Sequence, residues 1–122
     1  IQLINAGVPL EHITMTSDGC GSLPDFDEKG NLVKLEMGYP KSIFTELIDA
    51  VKDEGLELEK ALQVVTSNVA DILKLTKKGR IEIDMDADIV LINDNYEIVH
   101  LLALGEFFVK HAAMIRKGSY EK

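Results

Sequence analysis

The spacing of apolar and polar residues divides this chain into a helix-rich first part and a β-rich second part. Apolar residues recur at helical spacing over residues 42–54, which predicts the clearest helix, with Ser42 as its N-cap and Gly55 at its end. The same spacing predicts two shorter helices over residues 57–65 and 69–73.

The first residues predict a helix end followed by a buried strand. The run Ile1–Gly7 is typical of the last turns of a helix, and Pro9 prevents the helix from continuing. The segment Ile13–Thr16 is short and rich in β-branched residues, which favours a buried strand. Because the chain opens within such a helix rather than at a Met, we expect it to be a piece of a longer protein.

A glycine-rich segment follows this strand and extends from Ser17 to Pro40. It is longer than most connections within a compact domain. Connections of that length are usually functional loops or disordered segments, so we interpret it as one long loop.

Short β-like runs dominate the chain after residue 76. Gly105 marks a tight bend among them, and the runs predict an antiparallel or mixed sheet. About 45 residues are few for an independent sandwich, so we expect partner strands from elsewhere in a longer chain. The runs are Arg80–Ile83, Ile89–Ile92, Ile98–Leu104, Phe107–Val109 and Ala113–Arg116.

Composition and charge limit the kinds of partner and cellular setting that we expect for this chain. The 122 residues are 46% hydrophobic, which suits one ordinary core or parts of two. A formal net charge of −8 disfavours nucleic acid as a partner, because phosphate binding needs a basic face. Cys20 is the single cysteine, which excludes an internal disulfide and fits a reducing cytoplasm. No apolar run approaches the roughly 18 residues of a membrane span, so we expect no membrane partner.

Asp18 is the strongest candidate for chemistry. It follows the predicted strand at its carboxyl end and opens the glycine-rich segment. Catalytic groups of α/β barrels lie at this end of the strands, and a carboxylate there can bind a metal or transfer a proton to a leaving amine. An Asp-Gly pair is also common in turns, and the pattern alone favours that simpler interpretation.

The residues around Asp18 offer groups that bind carboxylates. The glycine-rich run Gly19–Ser22 offers backbone N–H groups with little side-chain obstruction, together with the hydroxyl of Ser22. A plain flexible loop is the alternative interpretation. The histidines lack the spacing of a metal-ligand set and are interpreted as structural or exposed; they are His12, His100 and His111.

Three segments resemble the C-terminal end of the amidohydrolase superfamily. Ile13–Gly19 resembles the eighth barrel strand with its metal-site aspartate, and Ala61–Leu75 resembles the helix pair that follows. Gly79–Ile81, followed by Asp86–Val90, resembles the exit from the barrel into a small β domain. A narrower likeness to isoaspartyl dipeptidases is carried by Ser17–Pro24, Phe26–Asp27, Gly30–Leu32 and the ending Lys117–Glu121.

The resemblance implies a fold and a domain organisation. The fold class is α/β, as the C-terminal part of a metal-dependent (β/α)8 TIM barrel followed by part of a small β-sandwich. Residues 1–76 would supply the last strand and helices of the barrel. Residues 77–122 would supply strands of the β domain, and the remainder of the barrel would be a partner.

The resemblance also implies an activity, namely hydrolysis of β-aspartyl dipeptides by a homo-oligomeric enzyme with two zinc ions. Asp18 would be a metal ligand and proton shuttle, and Ser22, with Gly21 beside it, would contact a substrate carboxylate. The family's other metal ligands have no counterpart here, so this piece alone is expected to be inactive and to bind no zinc.

Two alternatives stay open. The parent protein could be another amidohydrolase, such as a dihydroorotase-like enzyme or an N-acyl-amino-acid deacylase. The piece could instead be a non-catalytic folding or assembly module. In that case apolar faces around Ile43, Leu47 and Val51 would be exposed and would favour self-association.

Overall fold

The structure, a computed structural model, describes residues 1–118 and divides into two compact units, Ile1–Asn68 and Val69–Lys122. Both helices and strands are present, so the fold is mixed α/β. Within residues 1–118 no helix is both long and apolar enough to cross a membrane.

The first unit consists mainly of short helices and a β-hairpin. A single 3-10 turn at Leu10–His12 follows its first helix. The last helix crosses the boundary between the units. The elements are α1 Gln2–Asn5, β1 Ser22–Phe26, β2 Leu32–Met37, α2 Ser42–Lys52, α3 Leu58–Gln63 and α4 Ser67–Ile72.

The core of the first unit lies where α2 contacts α3. Leu47 and Ala61 are the most buried residues of this contact, at 3% and 1% exposure. The predicted helix over residues 42–54 is therefore confirmed, and Gly55 follows it in the left-handed conformation with φ +70. Ser42 as its N-cap is wrong, because Ser42 is the first helical residue and Lys41 precedes it without a side-chain cap.

The apolar face of α2 is covered rather than free. Leu47 is buried, and Ile43 and Val51 are half-buried. The expectation that these three side chains form an exposed face is therefore wrong. Leu47 lines a cavity together with Met15 and with Ala61 of α3.

Asn68 holds the segment that precedes the glycine-rich region. Its side chain is 2% exposed. Its Nδ2 donates hydrogen bonds to the carbonyl oxygens of Leu10, at 2.7 Å, and Ile13, at 2.8 Å. A further bond runs from the N–H of Met15 to the carbonyl of Val64 at 3.2 Å. These bonds fix the chain that leads toward Asp18.

Within residues 1–118 the segment Ile13–Thr16 does not form the predicted strand, because no other strand lies beside it. The backbone at Ile13 is extended, and burial alternates along the segment, with Ile13 and Met15 half-buried and the two threonines exposed. No strand among residues 1–118 pairs with it. A strand needs a neighbouring strand for its ladder, and the segment contacts helices instead.

The long loop predicted between Ser17 and Pro40 is a β-hairpin, in which β1 and β2 pair antiparallel. Its turn is closed by Asp27, whose carboxylate accepts hydrogen bonds from the backbone N–H groups of Lys29, at 2.9 Å, and Asn31, at 2.8 Å. The Asn31 side-chain amide also donates to this carboxylate. These bonds, the Asn31 amide first, hold the pKa of Asp27 below its ordinary value of 3.8.

The second unit is built on an antiparallel four-stranded sheet in the order β3-β4-β5-β6. The expected antiparallel arrangement and the bend at Gly105, with φ +79, are confirmed. The strand expected at Arg80–Ile83 is wrong, because Arg80 instead forms a two-bond ion pair with Asp71, at 2.9 and 2.7 Å. The strands are β3 Ile89–Ile92, β4 Ile98–Ala103, β5 Glu106–Lys110 and β6 Ala113–Met114.

Candidate active site

Asp18 lies in a turn at the base of the hairpin, between the extended segment and β1. Its backbone is left-handed, with φ 46, and its carbonyl accepts a hydrogen bond from the N–H of Gly21 at 2.8 Å. Its own N–H donates to the Thr16 hydroxyl oxygen at 3.3 Å. The turn interpretation of the Asp-Gly pair is therefore confirmed, and the exposed side chain of Asp18 is available for a ligand.

Two glycines allow the chain to close around Asp18. A Cβ on Gly38 would lie 2.3 Å from the Asp18 carbonyl oxygen, and a Cβ on Gly21 would lie 2.7 Å from the Asp18 carboxylate. The same glycines are joined by a hydrogen bond from the N–H of Gly38 to the carbonyl of Gly21, at 2.9 Å. Neither position can carry a side chain without moving Asp18. Sequence reasoning missed Gly38, because only its contact with Asp18 distinguishes it from other loop glycines.

The structure brings Gly21 and Ser22 next to Asp18, within one turn and the first residue of β1. The N–H of Gly21 is already donated to Asp18, and the N–H of Cys20 is donated to Gly38 at 2.8 Å. These two N–H groups are therefore not free to bind a carboxylate. A role of Gly21 in substrate binding has to come from its missing side chain, whereas Ser22 is exposed and has a hydroxyl to offer.

A cleft of about 450 Å³ lies beside this turn in the first unit. That volume is in the range of small-ligand pockets. Hydroxyl groups and one ion pair, between Lys34 and Glu36, contribute polar groups to an otherwise apolar lining. The lining residues include Ser17, Leu23, Met37, Tyr39 and Ser42.

The residues that the structure describes do not complete a metal site. Among residues 1–118, no group of three or more His, Cys, Asp or Glu side chains is placed to hold an ion. A catalytic zinc needs about three protein ligands, and the Asp18 turn supplies one carboxylate. The donor set of this chain therefore does not by itself fit the two zinc ions that the resemblance implies.

The histidines lie away from this turn in sequence. His12 ends the 3-10 turn and is exposed. In the second unit, the rings of His100 and His111 lie 5.0 Å apart, and the backbone N–H of His111 donates to Nδ1 of His100 at 3.3 Å. This contact joins β4 to the residues after β5.

The sequence model of the amidohydrolase family matches residues 1–116, which is nearly the whole chain. The chain belongs to the amidohydrolase family. This membership supports a hydrolase. It agrees with the resemblance of the segments around Asp18, Ala61–Leu75 and Gly79–Val90, while Ser119–Glu121 of the ending Lys117–Glu121 lie outside the described residues.

Solved structures of β-aspartyl dipeptidase resemble this amidohydrolase chain. One is the enzyme of the thermophilic, keratin-degrading Fervidobacterium islandicum AW-1 in complex with β-Asp-Leu, with 35% identity and a TM-score of 0.83 over 98% of this chain and 32% of that one. A second structure of β-aspartyl dipeptidase from the same organism has 27% identity and a TM-score of 0.75, over 98% and 28% of the two chains. The likeness includes the hairpin and the Asp18 turn, because it covers almost all of this chain.

Two proteins with other names also resemble this chain. The N-acetylglucosamine-6-phosphate deacetylase of Pasteurella multocida shares the fold at 15% identity, with a TM-score of 0.65 over 88% of this chain and 32% of that one. The allantoinase of Enterococcus faecalis is 33% identical over 84 residues, which are 66% of this chain and 18% of the allantoinase. This amidohydrolase chain therefore spans about a third or less of each of these relatives.

Proposed function

We propose that this chain is the C-terminal part of a metal-dependent isoaspartyl dipeptidase that hydrolyses β-aspartyl peptide bonds. The observation that carries the proposal is the match to β-aspartyl dipeptidase over 98% of the chain, since it includes the hairpin from Ser22 to Met37. The residues of this hairpin and of the Asp18 turn at its base also carry the resemblance to isoaspartyl dipeptidases.

In this proposal the first unit belongs to a (β/α)8 barrel and the second to a small β-sandwich domain. The extended backbone of Ile13 and the alternating burial of the following residues support a role of this segment as a barrel strand. Strands of the remaining protein would lie beside it and supply its ladder. Asp18 would then stand at the mouth of the barrel, where barrel enzymes carry their catalytic groups.

Asp18 is proposed as the group that moves the proton. Its carboxylate accepts a proton from the attacking water and passes it to the nitrogen of the leaving amino acid as the peptide bond breaks. The two zinc ions would need Asp18 together with ligands from the remainder of the protein. The left-handed turn and the contact with Gly21 fix where the Asp18 carboxylate lies.

Ser22 is proposed to donate a hydrogen bond to a carboxylate of the substrate. It is exposed and follows Gly21 directly, as the first residue of β1. Gly21 contributes by having no side chain at the place where the Asp18 carboxylate lies. The substrate would thus meet a carboxylate-binding hydroxyl and a proton-transferring carboxylate within five residues of chain.

A substrate panel on the full-length protein tests this proposal. We expect hydrolysis of β-Asp-Leu and no hydrolysis of α-Asp-Leu, which has the same composition and charge but a normal peptide bond. The allantoinase relative supports a second candidate, an amidohydrolase that opens cyclic amides. Hydrolysis of allantoin or dihydroorotate, or deacylation of N-acyl amino acids, with β-Asp-Leu left intact would contradict the dipeptidase proposal.

A further inference from the structure

The hairpin leaves one strand edge open. Within residues 1–118, β1 and β2 form a two-stranded sheet, and every residue of both strands is exposed. A two-stranded hairpin is marginally stable by itself, and an edge strand presents unpaired N–H and C=O groups that can pair with another strand. A further strand beside this hairpin would therefore stabilise it.

The two edges of the hairpin are not equivalent. Pro24 lies in the middle of β1 and has no N–H, so the outer edge of β1 cannot continue a regular ladder. Pro24 is paired with Leu35 of β2. The N–H of Gly38 donates to the carbonyl of Gly21, so these two residues form a hydrogen-bonded pair. Hydrogen-bonded and non-hydrogen-bonded pairs alternate along an antiparallel ladder. Leu35 therefore belongs to a non-hydrogen-bonded pair, and its N–H and C=O point away from β1. The outer edge of β2 can therefore form a regular ladder with a further strand.

The sequence of β2 is complementary to itself when two copies run antiparallel with Leu35 opposite Leu35. Lys34 then faces Glu36 of the other copy, and this pair occurs twice. Shifting the register by two residues in either direction places two lysines or two glutamates directly opposite each other, which is destabilising. Charge complementarity therefore favours this register over the two registers shifted by two residues.

The same register joins the apolar faces of the two hairpins. Val33, Leu35 and Met37 alternate with the charged residues and are 66%, 62% and 52% exposed. With Leu35 at the centre, Val33 of each copy lies opposite Met37 of the other. These exposed side chains would form one continuous apolar face across four strands.

We propose that β2 pairs with β2 of a second copy of this chain, antiparallel about a two-fold axis at Leu35, which gives a sheet in the order β1-β2-β2-β1. This is an isologous interface, in which the same surface is used by both copies. It is independent of the substrate that the protein hydrolyses. It places the Asp18 turn of each copy at the end of the shared sheet, since β2 leads into Gly38.

Site-specific cross-linking of the full-length protein tests the register. In a Cys20→Ala background, Leu35→Cys brings two thiols onto residues whose Cα atoms are about 5.5 Å apart, within the range of a disulfide. Val33→Cys is the matched control, because its two copies would lie about 13 Å apart along the strands. We expect an oxidised dimer linked at position 35, assigned by peptide mapping, and none linked at position 33. Absence of the link at position 35, or equal linking at both positions, would overturn the proposal.

Charge reversal tests the same interface without cysteines. Lys34→Glu and Glu36→Lys each place like charges opposite each other, and we expect the dimer dissociation constant to rise about tenfold in sedimentation measurements. The double variant Lys34→Glu/Glu36→Lys exchanges the charges and is expected to restore dimerisation. Unchanged dissociation constants in both single variants, or a double variant weaker than either, would overturn the pairing.

Discussion

The carboxylate of Asp18 packs against the α-carbon of Gly21. A Cβ on Gly21 would lie 2.7 Å from the Asp18 Cγ and from both carboxylate oxygens. The position of the candidate catalytic group therefore depends on a residue three positions later having no side chain. Asp at position 18 is itself suited to this turn, because Asp adopts the left-handed conformation more readily than most residues.

We expect Gly21→Ala to reduce turnover of β-Asp-Leu by the full-length protein about a hundredfold, because the added methyl group moves the Asp18 carboxylate. The clash is with a side chain that can rotate, so the melting temperature should change little. Steady-state kinetics and thermal unfolding of the same sample measure the two effects. Wild-type turnover would show that the carboxylate position set by Gly21 does not matter for catalysis.

Gly38→Ala is expected to act on folding rather than on the carboxylate alone. Its Cβ would lie 2.3 Å from the backbone oxygen of Asp18, so the backbone of the turn has to shift. We expect a loss of about 1–3 kcal/mol in the free energy of unfolding, typical of overpacking. Denaturant unfolding measures this loss. A variant as stable as wild type would contradict the close approach of β2 to the Asp18 turn.

Ser22→Ala tests the proposed carboxylate contact. A hydrogen bond to a charged group contributes about 1.5–3 kcal/mol, so we expect the KM for β-Asp-Leu to rise at least about tenfold. The control substrate is the same dipeptide with the α-carboxylate of its aspartyl residue converted to an amide. Wild type should discriminate between the two substrates, and the variant should discriminate much less. Equal discrimination by both proteins would remove Ser22 from the binding of this carboxylate.

Asn68→Ala is expected to destabilise the protein by about 2 kcal/mol or more, because it leaves the carbonyl groups of Leu10 and Ile13 without their donor. Asn95→Ala, at an exposed turn residue, should change stability by less than about 0.5 kcal/mol. Denaturant unfolding of the two variants checks the difference. Similar small effects at both positions would mean that the buried amide is not needed to hold the segment before Asp18.

The turn of the hairpin is expected to respond to acid through Asp27. Its folded pKa is held below the ordinary value, chiefly by the Asn31 amide, so its contribution to stability is present at neutral pH and is lost as the pH falls through the folded pKa. Asn31→Ala removes the largest cause, and we expect the pKa of Asp27 to rise toward 3.8. Carboxyl-carbon NMR titration measures both midpoints. An unchanged midpoint would contradict the Asp27–Asn31 contact.

Regular elements with a strong periodic pattern were predictable from the sequence. The apolar stripe of α2 and the continuous apolar run of β3 are short-range signals, and both elements occur where the pattern indicates them. The hairpin was missed because Pro24 and the turn glycine suggested a loop, and because no buried face reinforces its strands. The alternation from Leu32 to Met37 was the signal that could have revealed it.

The candidate site was predictable in part. The position of Asp18 after an extended segment, next to Gly21 and Ser22, follows from the order of residues along the chain. The close approach of Gly38 to Asp18 does not follow from that order, because it depends on the hairpin bringing residues 20 positions apart in sequence into contact. Within residues 1–118 the segment Ile13–Thr16 lacks the ladder of the predicted strand, because β-branched residues indicate extended backbone but cannot show whether a neighbouring strand exists.

The most direct measurement is the turnover of β-Asp-Leu by the full-length protein with Asp18→Asn. Asn retains the shape of Asp and tolerates the left-handed turn, but it cannot accept the proton. We expect kcat to fall by about a thousandfold or more, while Asp25→Asn, on the exposed strand β1, keeps wild-type turnover. A kcat for Asp18→Asn within about threefold of wild type would contradict the assignment of Asp18 as the proton-transferring group.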